Sequence, residues 1–328
     1  MVESRAKLTA IGSYVPSRKL TNTDLEKIVE TDNDWIVQRT GIKERRISSK
    51  DEFTSDICIK AVENLKMRYD KSLDDVDLII VCTLTPDHHT PSTASLVQAG
   101  LGLVQTGAID LNAACAGFTY GLHLANGLIT SGLNKKILVV GAETLSKITD
   151  YEDRSSCILF GDGGGAVLVE YTEDSPSFIS HQLGSNGEKG GSLYSSNLSD
   201  KIFNQDIIDN GMIVQNGREV FKWAVSTVAN NIPSLLSNTP FELKDVNWFV
   251  PHSANSRILE SICRKIDFPT ENTLSSIPYF GNTSSATIPL ALDLAVKENR
   301  IKKDDKLILY GFGGGLAYAG LLINWTID

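Results

Sequence analysis

Three segments of this 328-residue chain recur at one fixed spacing. Asp75-Val76-Asp77-Leu78-Ile79-Ile80-Val81 matches Asp245-Val246-Asn247-Trp248-Phe249-Val250-Pro251, and Lys136-Ile137-Leu138-Val139-Val140-Gly141 matches Lys306-Leu307-Ile308-Leu309-Tyr310-Gly311. Between them, Leu111-Asn112-Ala113-Ala114-Cys115 stands opposite Gly281-Asn282-Thr283-Ser284-Ser285. The offset is 170 residues in every pair. One apolar run matches another by chance, but three matches at a shared offset indicate duplication. The sequence therefore predicts two homologous halves, 1–172 and 173–328, packed about a pseudo-two-fold axis.

Within each half, strand-like apolar runs alternate with longer helix-like segments, among them 115–131 and 284–298, and no low-complexity linker intervenes. That alternation is the pattern of an α/β fold. Ligands of open α/β sheets bind beyond the carboxyl ends of the strands. Duplication would bring two such ends together, so the site should be built from matched strand ends of both halves.

Composition narrows the function classes. The 40 acidic residues outnumber the 31 basic ones, for a net charge of −9, which argues against nucleic acid as the main partner. No run approaches the roughly 18 apolar residues of a membrane span. The N-terminus Met1-Val2-Glu3-Ser4-Arg5 lacks the apolar core of a signal peptide. The five cysteines (Cys58, Cys82, Cys115, Cys157 and Cys263) are scattered and form no CxxC pair, as expected of thiols in a reducing compartment. A cytoplasmic protein without a metal site is expected.

Cys115 stands out among them. It follows the strand-like Ala108-Ile109-Asp110-Leu111 and opens a segment of small and apolar residues that should form a buried helix. A thiol at a helix N-terminus is expected to have a lowered pKa and to favour thiolate. Of the five histidines, His123 lies eight residues along that helix, about 12 Å up the axis at 1.5 Å per residue. His88 and His89 fall in a polar loop, and His181 in a segment without a pattern. His252 directly follows the strand Trp248-Phe249-Val250-Pro251, at a strand end of the second half. Asn282 reads by itself as a helix cap, but the repeat sets it in the loop that matches the one holding Cys115. The glycine clusters 161–165 and 311–315 fit no phosphate-loop pattern and read as tight strand connections that let backbone N–H groups approach a reacting centre.

These residues resemble the β-ketoacyl-acyl-carrier-protein synthase III family, the initiating condensing enzymes of type II fatty acid synthesis. The resemblance runs nearly end to end through Asp34-Trp35-Ile36, Arg39-Thr40-Gly41-Ile42 with Arg45-Arg46, Ala114-Cys115-Ala116-Gly117, Phe160-Gly161-Asp162-Gly163, Val250-Pro251-His252-Ser253-Ala254-Asn255, Gly281-Asn282-Thr283-Ser284 and Phe312-Gly313-Gly314-Gly315. It implies a duplicated thiolase-like fold, layered α/β/α/β/α, and a homodimer. It implies that Cys115 takes an acyl group from acyl-CoA, and that His252 and Asn282 stabilise the enolate formed when malonyl-acyl-carrier protein loses CO2. The backbone N–H groups of Cys115 and Gly314 would form the oxyanion hole. Trp35, Arg39 and Arg154 would hold CoA, with Asn255 near the pantetheine arm. Thr90 and Phe312 would line the acyl pocket, and Lys222, Arg257 and Arg264 would dock the acidic carrier protein. Acyl-CoA and malonyl-carrier protein are then substrates, and no cofactor is expected.

The sequence departs from that family at three places: Ser253 stands where Gln is commoner, Gly164 replaces Ala, and Thr90 stands where many members carry Phe. The missing ring at Thr90 would open the acyl pocket to longer or branched primers. A CoA-primed acyltransferase or synthase of secondary metabolism is the alternative reading. A non-catalytic subunit of this fold would lack Cys115, His252 and Asn282, and a cysteine hydrolase would leave Asn282 and the glycine clusters without a purpose.

Overall fold

The strands β1 (Ala6–Tyr14), β2 (Leu78–Cys82), β3 (Gly107–Leu111), β4 (Lys136–Thr144) and β5 (Asp162–Tyr171) form one sheet in the order β1-β5-β4-β2-β3. A second sheet holds β6 (Phe178–Ser185), β7 (Trp248–Pro251), β8 (Lys306–Gly313) and β9 (Ala317–Asn324) in the order β7-β8-β9-β6. Read from the other edge, the second sheet repeats the first up to the place of β3, where a single parallel bridge between Phe249 and Thr273 remains. This computed structural model describes residues 3–328; Met1 and Val2, part of the leaderless N-terminus expected above, lie outside the described residues.

The repeat extends to irregularities that no apolar pattern would reveal. The pairing of β1 with β5 skips Thr9, and the pairing of β6 with β9 skips Ile179, 170 positions later. A bulge inserts one unpaired residue and bends its strand, so both halves bend at the same point. The turns that follow β3 and its second-half counterpart also match. Ala114 and Ser284 both have left-handed backbones, with φ of 45° and 49°, and each begins a single 3-10 turn, Ala114–Ala116 and Ser284–Ala286.

The longer helices are α1 (Thr54–Tyr69), α2 (Thr93–Gly100), α3 (Gly117–Thr130), α4 (Gly217–Leu236), α5 (Ser256–Ile266) and α6 (Thr287–Lys297). Helices α1 and α2 cover the outer face of the first sheet, and α4 and α5 the outer face of the second. Helices α3 and α6 lie between the sheets and share one apolar cluster with both. The expected α/β/α/β/α layering follows from the composition of these helices. α3 is apolar nearly all round and can be satisfied only where both faces are covered, and β4, buried along its whole length, needs a helix layer on each side.

Three expectations need correction. The helix expected from residue 115 begins at Gly117, and the one expected from 284 begins at Thr287. In both cases the left-handed residue turns the chain before the helix can start. Gly163, Gly164 and Gly165 are not a connection but lie inside β5; a Cβ on Gly164 would come within 2.7 Å of Ile57, and one on Gly165 within 2.6 Å of Pro289. Of the second cluster, only the segment Gly314–Leu316 is the tight connection expected.

No helix among the described residues is long and apolar enough to cross a membrane.

Central packing sets a testable cost. Leu292 on α6 is fully buried in the cluster shared by both sheets, so Leu292→Ala should lower unfolding free energy by about 2–5 kcal/mol. Leu133, 75% exposed, should change it by no more than about 0.5 kcal/mol on the same truncation. Urea unfolding of the two variants checks the contrast; equal costs would contradict the layering.

Candidate active site

Cys115 lies in the 3-10 turn between β3 and α3 and is 6% exposed. The first half alone leaves this thiol facing across to the second, where the end of β8 meets it. A Cβ placed on Gly313 would lie 2.8 Å from Cys115 Sγ. Any side chain there would displace the thiol, so the glycine sets how closely backbone can approach. The N–H groups of Gly314 and of Cys115 itself face the sulfur.

The second half supplies the other groups from equivalent positions. His252 directly follows β7, with its N–H donating to Tyr310 O of β8 at 2.8 Å. Its ring is 2% exposed and packs edge-on against Phe312, with ring centroids 5.3 Å apart. Its Nδ1 lies 2.7 Å from Thr287 Oγ1, which also donates to Ser284 O at 2.9 Å. With the hydroxyl proton on Ser284 O, Thr287 accepts Nδ1–H and leaves Nε2 as the proton acceptor. With the proton turned to Nδ1, Nε2 carries the hydrogen. Thr287 therefore satisfies either tautomer.

Asn282 is held from the first half: its N–H donates to Leu159 O at 2.9 Å, and Gly161 N donates to Asn282 O at 3.1 Å. The Phe160-Gly161 pair of the sequence motif is thus a docking strip, and a Cβ on Gly161 would strike Phe280 O at 2.3 Å. Asn282 Oδ1 accepts from Ser284 N at 2.9 Å, closing a turn, and Asn112 Oδ1 closes the same turn on Ala114 N at 3.1 Å. Asn282 therefore closes a turn and does not cap a helix: the 3-10 turn after it is entered from Thr283 and α6 from Ala286. Its oxygen serves the turn, and since only an oxygen can accept from an N–H, its two Nδ2 hydrogens are free to serve a ligand.

Electrostatics corrects one sequence expectation. Burial raises the Cys115 thiol to about 11, against the Ser284 hydroxyl and the N–H groups of Gly314 and Cys115, which favour thiolate. A helix N-terminus is expected to lower it, but the thiol sits in a short turn before the helix and desolvation of the charged form wins. Burial likewise pushes His252 down to about 3, opposed by the Ser284 carbonyl. Both groups are neutral at rest. Behind them the buried carboxyl of Glu143 is raised by burial and accepts hydrogen bonds from Thr85 at 2.7 Å and Thr83 at 3.0 Å, with the Ser285 hydroxyl 3.0 Å away.

Cys115, His252 and Asn282 all line one cavity of about 1940 Å³. Of the other expected residues, Trp35, Arg39, Asn255, Thr90, Phe312, Arg257 and Gly314 line it as well. Arg154, Lys222 and Arg264 do not. Arg154 reaches it indirectly, with its guanidinium 4.3 Å over the Trp35 ring, while Arg39 lies 5.8 Å from the same ring. Lys222 pairs with Glu219 at 3.1 Å on α4, and Arg257 and Arg264 are exposed on neighbouring α5. Asn255 caps α5, accepting from Arg257 N at 2.9 Å. His88 and His89 are exposed at the cavity rim, and His123 is instead paired ring to ring with His181 at 4.5 Å.

Sequence reasoning missed Ser284 and Thr287, whose polar groups arrange the other three. Nothing in the residue types marks them, although the repeat places Ser284 opposite Ala114. The departure at Ser253 is accommodated locally: its hydroxyl accepts from Ser276 N at 3.1 Å. Among the described residues no cluster of His, Cys, Asp and Glu could hold a metal.

Two family models match the chain: 3-oxoacyl-[acyl-carrier-protein (ACP)] synthase III over residues 109–187 and its C-terminal counterpart over residues 236–325. A β-ketoacyl-[acyl-carrier-protein] synthase III 2 of Halalkalibacterium halodurans is 62% identical over 324 residues, covering 99% of this chain and 98% of that one. Its counterpart in Bacillus subtilis is 58% identical over 322 residues, covering 98% and 99%. The crystal structure of a synthase III from Thermus thermophilus superposes with a TM-score of 0.93 at 42% identity, covering 97% of this chain and 99% of that one.

The raised thiol gives a pH prediction. Thiolate is the reactive form, so alkylation of Cys115 by iodoacetamide should climb about tenfold per pH unit from pH 7 to 10, since its pKa lies above that range. Intact mass against a Cys115→Ala control follows the reaction. A plateau above pH 8 would mean that the thiol is ionised at rest.

Proposed function

Because this chain belongs to the 3-oxoacyl-[acyl-carrier-protein] synthase III family, the condensing acyltransferases that open fatty acid synthesis, we propose that it works through an acyl-Cys115 intermediate. It joins an acyl group from acyl-CoA to malonyl-acyl-carrier protein with loss of CO2, giving β-ketoacyl-carrier protein. The observation that carries the mechanism is the convergence of Cys115, His252 and Asn282, from matched ends of the two sheets, on one cavity.

In the first half-reaction the Cys115 thiol gives its proton to His252 Nε2, and the sulfur attacks the thioester carbonyl. The N–H groups of Cys115 and Gly314 receive the developing oxyanion. The bond to CoA sulfur then breaks, and CoA leaves with the proton held by His252. In the second, the malonyl thioester oxygen accepts from Asn282 Nδ2 and from His252 Nε2–H. The C–C bond to the carboxylate breaks, its electrons form the enolate, and CO2 departs. The enolate carbon attacks the acyl-Cys115 carbonyl, and the sulfur leaves as thiolate and takes a proton from solvent. The two half-reactions need opposite tautomers of His252, and the Thr287 hydroxyl accommodates both. No cofactor enters either step.

Trp35, Arg39 and Arg154 bind CoA in this reading. Adenine would slide between the Trp35 ring and the Arg154 guanidinium now stacked on it, the arginines would pair with phosphate, and Asn255 would meet the pantetheine arm. Arg257 at the cavity rim, with Lys222 and Arg264 on adjoining surface, forms the patch for an acidic carrier protein. The edge strand β3 supports a homodimer: among the described residues its outer side has no partner strand, and Ile109 there is 39% exposed, as a strand waiting to pair with its copy would be. Thr90 and Phe312 bound the acyl pocket. Five free, buried cysteines are consistent with a cytoplasmic location.

Incubation with a panel of acyl-CoAs should add one acyl mass to the wild type and none to Cys115→Ala. No gain with any acyl-CoA would remove the intermediate. Thr90→Phe should depress the rate with long and branched primers while sparing acetyl-CoA; equal activity on all primers would exclude Thr90 from the acyl pocket. Arg154→Ala should raise the KM for acyl-CoA roughly tenfold or more, the worth of one hydrogen bond to a charged group, with kcat little changed.

A further inference from the structure

Ser284 is the residue on which the three reacting side chains converge. Its N–H fixes the Asn282 amide at 2.9 Å. Its carbonyl accepts from Thr287 at 2.9 Å and faces the His252 ring. Its hydroxyl lies beside the Cys115 thiol. The residue is 1% exposed, lines the cavity, and has a φ of 49°, a strained conformation for a residue other than glycine. Its hydroxyl is buried without a well-formed hydrogen bond. A buried hydroxyl left unpaired costs free energy, and here the group beside it explains why it is kept. A neutral thiol is a weak acceptor, whereas a thiolate is a strong one.

We propose that the Ser284 hydroxyl is a fourth catalytic group, donating a hydrogen bond to Cys115 Sγ when the sulfur carries charge. It rests on the acyl-Cys115 reading and adds a donor at two points in the cycle. As the thiol proton passes to His252, the hydroxyl turns to the sulfur and stabilises the thiolate that attacks acyl-CoA. When the enolate displaces the sulfur from the acyl group, the same bond stabilises the departing thiolate. In the acyl-enzyme the thioester sulfur accepts poorly, so the hydroxyl favours the charged species over the intermediate, which is the condition for catalysis. The titratable groups around Cys115 are Glu143, behind the strand ends, and His252, which lines the same cavity; the Ser284 hydroxyl makes no well-formed hydrogen bond to either.

Ser284→Ala tests this, and the fold itself shows that alanine suits the backbone: Ala114 occupies the matching turn at a φ of 45°. The substitution keeps the N–H and the carbonyl, so the Asn282 and His252 arrangement should survive. At pH 8 the alkylation of Cys115 by iodoacetamide should slow, with its pH profile displaced upward, and acylation by acyl-CoA should slow by roughly tenfold, the worth of one hydrogen bond to a charged group. Release of CO2 from malonyl-carrier protein by enzyme already acylated should change less than about twofold, since Asn282 and His252 serve that step. An unchanged alkylation profile with unchanged acylation would overturn the proposal. Equal loss in acylation and CO2 release would also overturn it, by reducing Ser284 to a scaffold for its neighbours. Ser284→Gly, which relieves the left-handed strain while removing the same hydroxyl, must reproduce the result and stands in should the alanine variant fail to fold. Alkylation needs no acyl-CoA, so it reads the hydroxyl even if no acyl-enzyme forms in the wild type, the outcome that would defeat the broader reading instead.

Discussion

Everything in the site depends on two tight turns, one from each half, meeting at backbone distance. Each is closed by an asparagine side chain on an amide two residues ahead, and each passes through a left-handed residue, Ala114 or Ser284. The first presents Cys115, and the second presents Ser284 while holding Asn282. The Cys115 sulfur keeps its place in the first turn because Gly313 carries no side chain there. The meeting is braced from behind: Ser285, the counterpart of Cys115 in the repeat, donates to Cys82 O at 2.7 Å, and its hydroxyl oxygen lies 3.0 Å from the buried Glu143 carboxyl. In the proposed mechanism one copy of the turn carries the reacting centre, and the other supports it.

Burial governs the chemistry of this meeting. It raises the thiol and depresses the imidazole, so the resting pair is neutral in both members. A permanently charged pair would be more reactive toward any electrophile but would have to be solvated inside an apolar cavity. A neutral pair leaves charge to develop only when a substrate fills the space and the donors around the sulfur are engaged. In the mechanism proposed above, the groups that matter are those aimed at charge that does not yet exist, namely the N–H groups of Cys115 and Gly314 and the hydrogens of Asn282 Nδ2.

The repeat made the architecture legible. Apolar strands at a constant offset and a helix apolar on all sides contain enough information to place two sheets and the helices between them. His252 and Asn282 were legible as strand-end residues because duplication gave those ends a meaning. Protonation was not, since the sign of the Cys115 shift depends on how completely three-dimensional packing excludes water, and helix-terminus reasoning sees only the local chain. Nor was Ser284, whose importance comes from a positive φ and from contacts with residues far away in sequence. Arg154 shows the intermediate case: its place among the CoA contacts rests only on likeness to a family, and the geometry makes it a neighbour of the Trp35 ring and not part of the cavity wall.

The matched bulges at Thr9 and Ile179 and the two central helices bear on the history of the molecule. Helices α3 and α6 each have apolar surface turned to the opposite sheet. A lone half would leave that surface in water, too large an apolar face for a small soluble domain to expose. An ancestor of half this length could have covered it only with a second copy of itself, related by the same two-fold axis. Gene fusion would then have freed the copies to diverge, so that a symmetric assembly with two identical turns became an asymmetric one in which a cysteine faces a serine.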